Sequence, residues 1–198
     1  RGGKGRLGMG TKDEDFVEQL FVASTHDYLL FFTNKGQVFR KKVFELPQAG
    51  PTGRGKAAIN LLPLREGESI CSCLNVPEEA ENKYIFLCTE GGVAKKTPML
   101  DCAKIRVTGL RVITLDDGDS VISVQLTNGD QELFFATRDG MGLRVNESTL
   151  RPMGRQARGV RGVRLREGDR VVSALALSGS GELLTVTEGG YGKKTPIG

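Results

Sequence analysis

"LLFFTNKG" (29–36), "IFLCTEGG" (85–92), "LFFATRDG" (133–140) and "LLTVTEGG" (183–190) are four versions of one phrase: an apolar run, a threonine, two turn-prone residues and a glycine. Their threonines, Thr33, Thr89, Thr137 and Thr187, are spaced 56, 48 and 50 residues apart. The downstream halves match too. "RGKAAINLLPLREGESI" (54–70), "TGLRVITLDDGDSV" (108–121) and "RGVRGVRLREGDRV" (158–171) each run from a basic, glycine-bearing segment through a strand-like stretch to an acidic turn at Gly67, Gly118 or Gly168. Self-similarity at a period near fifty marks an array of structural repeats.

The local chemistry of each unit is β. Short runs of Val, Ile, Leu, Phe and Thr end in NKG, EGG or RDG, where glycine supplies the positive φ of a hairpin turn. No stretch of twelve or more residues carries an i, i+3, i+4, i+7 apolar pattern. Units of this length with about four strands each predict small sheets arranged radially, as in propellers. We expect one domain over 1–198: the end of a first unit in 1–27, successive repeats at 28–76, 84–126 and 132–177, and the start of another at 182–198. The array is expected to be part of a longer one.

The chain's 198 residues suffice for a sizeable core, and 38% hydrophobic with 26% charged residues is the balance of a globular rather than a disordered chain. There is no apolar run of about 18 residues and no signal-peptide pattern, so the cytoplasm is the expected compartment. Four cysteines, Cys71, Cys73, Cys88 and Cys102, lack the paired spacing of a zinc site and are too few for a disulfide framework. They read as small buried hydrophobes. The single histidine, His26, reads as a polar residue in a strand-entry turn, with no nucleophile beside it.

Two near-motifs fail on mechanism. "GKGRLG" (3–8) fits G-x-G-x-x-G but follows no strand. "GPTGRGKA" (50–57) fits G-x-x-x-x-G-K but puts Ala57 where a phosphate loop needs a hydroxyl for magnesium. The recurring acids Glu66, Glu68, Asp116, Asp117, Asp119, Glu167 and Asp169 read as solvated turns rather than as catalytic pairs.

Charge is segregated within each unit: cations follow the T-x-x-G turn, and anions wait for the later one. Repeats related by rotation would line those cations into a basic stripe able to follow a polyanion. Base readout is not expected, since no helix or zinc module is present to enter a groove. The candidates for phosphate contact are Lys42, Arg54, Lys56, Lys95, Lys96, Arg106, Arg144, Arg158, Arg161 and Lys194, together with Arg1 and Lys4 of the opening "RGGKG" (1–5). In that opening, Gly2, Gly3 and Gly5 carry no side chains to obstruct a phosphate backbone. One RGG without neighbouring RGG repeats or aromatics is a poor RNA-binding element.

"RGGKG" resembles the last five positions of the box that identifies the C-terminal domain of DNA gyrase A. "THDYLLFFTNKGQVFRKKVFELP" (25–47), "INLLPL" (59–64), "GVRGVRLREGDRVVS" (159–173) and "GYGKKTP" (190–196) resemble successive blades of that domain. The resemblance covers essentially the whole chain, and the box lacks its first two residues. It implies a β-pinwheel of four-stranded blades that exchange strands, wrapping duplex DNA around a basic rim without sequence preference and without catalytic residues of its own. The implied partners are DNA, the rest of the gyrase A polypeptide, and gyrase B. ATP and magnesium would act elsewhere in that holoenzyme, and no cofactor is expected in this chain. Nucleoid association is implied. The alternatives are the C-terminal domain of the corresponding topoisomerase IV polypeptide, which shares the blades, and a propeller-like protein-interaction module.

Overall fold

The threonine and glycine of each repeated phrase close a β-hairpin with the same hydrogen bonds every time. The computed structural model describes residues 20, 22–49, 55–57, 60–77, 80–177, 179 and 181–197. In it the carbonyls of Thr33, Thr89, Thr137 and Thr187 accept from the amides of Gly36, Gly92, Gly140 and Gly190 at 2.9–3.1 Å. Each threonine hydroxyl also accepts from the amide four residues on, at Gln37, Val93, Met141 and Tyr191 (3.1–3.2 Å). The hydroxyl therefore substitutes for a strand partner where the chain reverses. Gly92, at φ +85°, shows why a side chain is excluded there: beyond the strained backbone, a Cβ would lie 2.9 Å from the carbonyl oxygen of Val163 in a later repeat.

The described residues form thirteen strands in four antiparallel sheets. The first hairpin, β1 (Tyr28–Thr33) and β2 (Gln37–Lys42), is joined on one edge by β3 (Ile70–Val76). The second hairpin, β4 (Tyr84–Thr89) and β5 (Val93–Pro98), precedes the short β6 (Leu110–Arg111) and then β7 (Val121–Thr127), which pairs with β4. The third hairpin, β8 (Glu132–Thr137) and β9 (Gly142–Asn146), is followed by β10 (Val160–Arg161) and β11 (Val171–Leu177), the latter pairing with β8. β12 (Glu182–Val186) and β13 (Gly192–Pro196) make a fourth hairpin.

The two short strands leave their own repeats. β6 pairs with β2 of the repeat before it, and β10 with β5, giving sheet orders β3-β1-β2-β6 and β10-β5-β4-β7. The fourth strand of a sheet is therefore borrowed from the next repeat, and the third sheet shows three strands, β11-β8-β9. At the opposite edge, β3, β7 and β11 lie against one another, bridged by the Ser72 hydroxyl to the Val124 carbonyl (3.1 Å) and the Ser123 hydroxyl to the Ala174 carbonyl (2.6 Å). These strands form the hub, and the borrowed strands the outer edge.

Two cores fill the gaps between consecutive sheets. β4 supplies both because its side chains alternate: Ile85 and Leu87 face Leu30, Phe32 and Val38, whereas Phe86 and Cys88 face Leu133 and Phe135. Phe86 and Phe135 meet edge to face with centroids 5.9 Å apart. Burying one such ring stabilises by about 1.5–3 kcal/mol. Cys88 and Cys102 are core residues, and Cys71 and Cys73 are half-buried on β3. Burial pushes these thiols up to about 12, 11, 12 and 11 for Cys71, Cys73, Cys88 and Cys102, which leaves them un-ionised at neutral pH. His26 is exposed in the turn that leads into β1.

The expectation that all the acidic turns are solvated holds only in part. Glu66, Asp116, Asp117 and Glu167 are exposed, but Glu68, Asp119 and Asp169 fold back onto the hairpin turns. Glu68 accepts from the Thr33 hydroxyl at 2.6 Å, Asp119 from the Gly91 amide at 2.9 Å, and Asp169 from the Asp139 amide at 3.1 Å. Desolvation works to raise the Asp169 carboxyl, but hydrogen bonds from Thr137, Asp139 and Arg170 outweigh it and hold the group below the usual range.

Candidate nucleic-acid interface

The cations of the sequence separate into three environments. Those of β5 are buried. The strand reads VAKKTP, yet it lies between two cores, so Lys95 points into one and Lys96 into the other. The Lys95 ammonium donates to the carbonyls of Val112 (2.6 Å) and Arg155 (2.7 Å). It ties together the two segments that carry the borrowed strands. Burial pushes its pKa down to about 8, with Cys102 and Asp101 working the other way.

Lys96 donates to the Glu147 carbonyl at 3.0 Å, lies 3.9 Å from the Glu147 carboxylate, and sits over the Tyr84 ring. The Glu147 carboxylate is itself fully buried and accepts from the Thr127 hydroxyl (2.5 Å) and the amides of Gly129 (3.1 Å) and Gln131 (3.3 Å). Lys95 and Lys96 are thus corrected as candidates for phosphate contact: both side chains are enclosed and their donors already have acceptors. The signal lay in the neighbouring strand, YIFLCT, whose unbroken apolar run marks a sheet covered on both faces.

A second group is exposed but engaged. Arg144 reaches the Glu132 carboxylate (3.0 Å) and the Ile197 carbonyl (2.5 Å), and Arg40 donates to the Ala103 carbonyl (2.8 Å) while covering the Tyr28 ring. The Glu132 carboxyl is held below the usual range first by Asn146 and then by Arg144. Lys194 pairs with Glu182. Arg158 pairs with Asp116 at 3.0 Å, both well exposed, and such surface pairs contribute only about 0–1 kcal/mol, so a phosphate can displace the acid. Lys42, half-buried, lies over the rings of Tyr28 and Phe44.

In the third group the side chains are exposed, with no ion-pair or hydrogen-bond partner among the described residues. It includes Lys56, Arg106 and Arg161 from the sequence candidates, and Lys104, Arg111 and Arg164 besides. Arg111 and Arg161 occupy equivalent places. Each lies on a borrowed outer strand, opposite the residue that follows the turn glycine: Arg111 opposite Gln37, and Arg161 opposite Val93. Arg111 is not among the sequence candidates, because the strand exchange that brings it to the edge is not visible locally. Arg1, Gly2, Gly3, Lys4, Gly5 and Arg54 lie outside the described residues. Among the described residues no group of three His, Cys, Asp or Glu side chains could hold a metal, and no helix is long and apolar enough to cross a membrane.

Comparison with known proteins follows the same periodicity. The family described as "DNA gyrase C-terminal domain, beta-propeller" matches residues 1–24, 27–77, 83–128, 131–178 and 181–198. The chain is 45% identical over 159 residues to the DNA gyrase A polypeptide of Halalkalibacterium halodurans and 46% identical over 158 residues to that of Streptococcus pneumoniae. These matches cover 80% and 79% of the chain and 19% of each relative, so the chain spans about a fifth of their length. Among solved structures, the C-terminal domain of DNA topoisomerase IV superposes with a TM-score of 0.84 at 32% identity, covering 96% of this chain and 59% of that one. A DNA gyrase A C-terminal domain superposes with a TM-score of 0.72 at 27% identity, covering 88% and 56%. The matched segments follow the fifty-residue period of the hairpins, and the chain belongs to the DNA gyrase C-terminal domain family.

Proposed function

We propose that this chain binds duplex DNA along the outer edge of its sheets, bends it around that edge, and thereby supports ATP-dependent negative supercoiling as part of DNA gyrase. The observation that carries this reading is the equivalent placement of Arg111 and Arg161 on consecutive borrowed strands, both exposed and with side chains free of partners among the described residues. Arg106, Lys104, Lys56 and Arg158 add further positive charge from exposed segments. Such contacts hold the phosphates and carry no base information. Curving 20–30 base pairs through 40–90° costs on the order of 1–6 kcal/mol, which several phosphate contacts spread along an arc can offset. ATP, magnesium and strand cleavage belong in this reading to the rest of the holoenzyme, formed with the remainder of the gyrase A polypeptide and with gyrase B in the cytoplasm.

The test is retention of unrelated linear duplexes as salt rises from about 50 to 200 mM. Each phosphate contact contributes about −0.9 to the log–log slope, so Arg111→Gln with Arg161→Gln should flatten it by about 1.8 for every sequence alike. A slope unchanged by the pair refutes the outer-edge reading, and no retention at low salt favours a protein-interaction module. Ligation of nicked circles with the chain bound then reports wrapping as a shift in linking number.

A further inference from the structure

Besides the hub and the shared cores, strand exchange links successive sheets at the outer edge, and there only beside the turn. β6 and β10 pair with the first two residues after the turn glycine, so the turn end of β2 and of β5 is fixed to the following repeat. Further along the strand a side chain makes the connection, joined at Lys96 by the main-chain carbonyl, which accepts from the Met153 amide at 2.8 Å. The residue four positions after the turn glycine is a cation in every repeat: Arg40, Lys96, Arg144 and Lys194.

Three of these four donate to a main-chain carbonyl of the next repeat, just beyond that repeat's second hairpin strand. Arg40 reaches Ala103 at 2.8 Å, Lys96 reaches Glu147 at 3.0 Å, and Arg144 reaches Ile197 at 2.5 Å. Glu147 and Ile197 are equivalent, each seven residues past its turn glycine, and Ala103 follows the longer 3-10 turn Met99–Cys102. A further repeated residue steadies each cation, namely the one that opens the first hairpin strand. Tyr28 lies under Arg40 and Tyr84 under Lys96, while Glu132 pairs with Arg144 and Glu182 with Lys194.

We propose that Arg40, Lys96 and Arg144 are positioning residues that fix the tilt between neighbouring sheets, and with it the pitch of the edge on which DNA is laid. This rests on the DNA-wrapping reading above. On β2 and β5 the borrowed strand and the cation grip the same strand two to three residues apart, roughly 7–10 Å at the rise of a β-strand. The hub bridges and the shared cores hold the inner side of neighbouring sheets, and at the outer edge the borrowed strand fixes one point and the cation a second. Without the cation the outer edge is held beside the turn alone, so that Arg111 and Arg161 keep their charge but lose part of their fixed relative height. A duplex with a persistence length of about 50 nm then follows its own path rather than the one imposed on it. The proposal also accounts for a cation in every repeat at a position where Lys96 has no access to solvent.

The experiment compares single variants that each remove or conserve one positive charge. Arg40→Gln removes one hold, Arg40→Lys keeps a donor, and Arg161→Gln removes an outer-edge charge outside the holds. Thermal melting confirms that each folds, and Arg144→Gln repeats the test at the junction between the third and fourth sheets. For Arg40→Gln we expect the parent's salt slope with most of the linking-number shift lost, and restoration of the shift in Arg40→Lys. For Arg161→Gln we expect a slope flatter by about 0.9. Hydrogen exchange in the free chain supplies a readout without DNA: amides around Ala103 should exchange faster in Arg40→Gln and normally in Arg161→Gln. A full linking-number shift in Arg40→Gln overturns the proposal, as does a loss of slope equal to that of Arg161→Gln. If the parent retains no DNA, the wrapping reading fails by itself, and unchanged exchange at Ala103 overturns the hold separately.

Discussion

Replacing Lys96 by methionine separates a buried structural cation from a DNA contact, because the two roles predict opposite results. The Lys96 side chain is 4% exposed and that of Glu147 is 0% exposed. Methionine refills most of the volume but leaves the Glu147 carboxylate without its counter-ion, with the Thr127 hydroxyl and the Gly129 and Gln131 amides as its remaining partners. Breaking a buried pair from one side costs about 3–5 kcal/mol. The three surviving donors place this case at the lower end, and loss of the ammonium from over Tyr84 adds about 0.5–2 kcal/mol.

A net cost of about 3.5–5 kcal/mol corresponds to a melting decrease of roughly 7–20 °C for a chain of this size. The cost should fall on the junction between the second and third sheets, because stability in repeat arrays is a sum of local and neighbour terms. Differential scanning calorimetry reads the loss, and hydrogen exchange locates it. Glu147→Gln should also destabilise, and the double variant should lose less than the sum of the singles, since the two residues are coupled. The salt slope for DNA should match the parent's. A Lys96→Met variant that melts with the parent and binds DNA with a flatter slope would refute the burial argument and return Lys96 to the outer edge.

Two other perturbations test the junctions. Gly92→Ala puts a Cβ 2.9 Å from the Val163 carbonyl at φ +85°, so beyond the roughly 1–2 kcal/mol of left-handed strain it must displace the segment that carries β10. Faster exchange of the Gly162 and Val163 amides, which donate to the Gly92 carbonyl, is the expected result. Lys95 makes stability depend on pH. Its folded pKa of about 8 lies below its unfolded value of 10.5. Between those values the unfolded chain binds a proton that the folded chain does not, so this residue's contribution rises with pH over that window and is constant below it. Denaturant titrations should show the parent gaining on Lys95→Met from pH 8 to 10.5, and a gap that does not widen contradicts the assignment.

The T-x-x-G phrase carries its own hydrogen bonds within five residues, and side-chain alternation in a strand is a property of the backbone. The hairpins, the period and the all-β class were therefore legible in the sequence. Arg106 and Arg161, singled out from the sequence, are exposed in the structure. The fate of the other cations was not legible. Lys95, Lys96, Arg40 and Arg144 end on carbonyls 17 to 63 residues away, and whether a lysine meets water or a main-chain oxygen depends on which sheet covers it. Arg111 shows the converse, since a two-residue strand too short to announce itself becomes the outer edge of the preceding sheet. By itself the sequence determined that units repeat and that each makes a hairpin, because those depend on contacts close along the chain. Only the tertiary structure decided which charges bind the protein to itself and which remain for a polyanion, because that selection is made by desolvation between sheets.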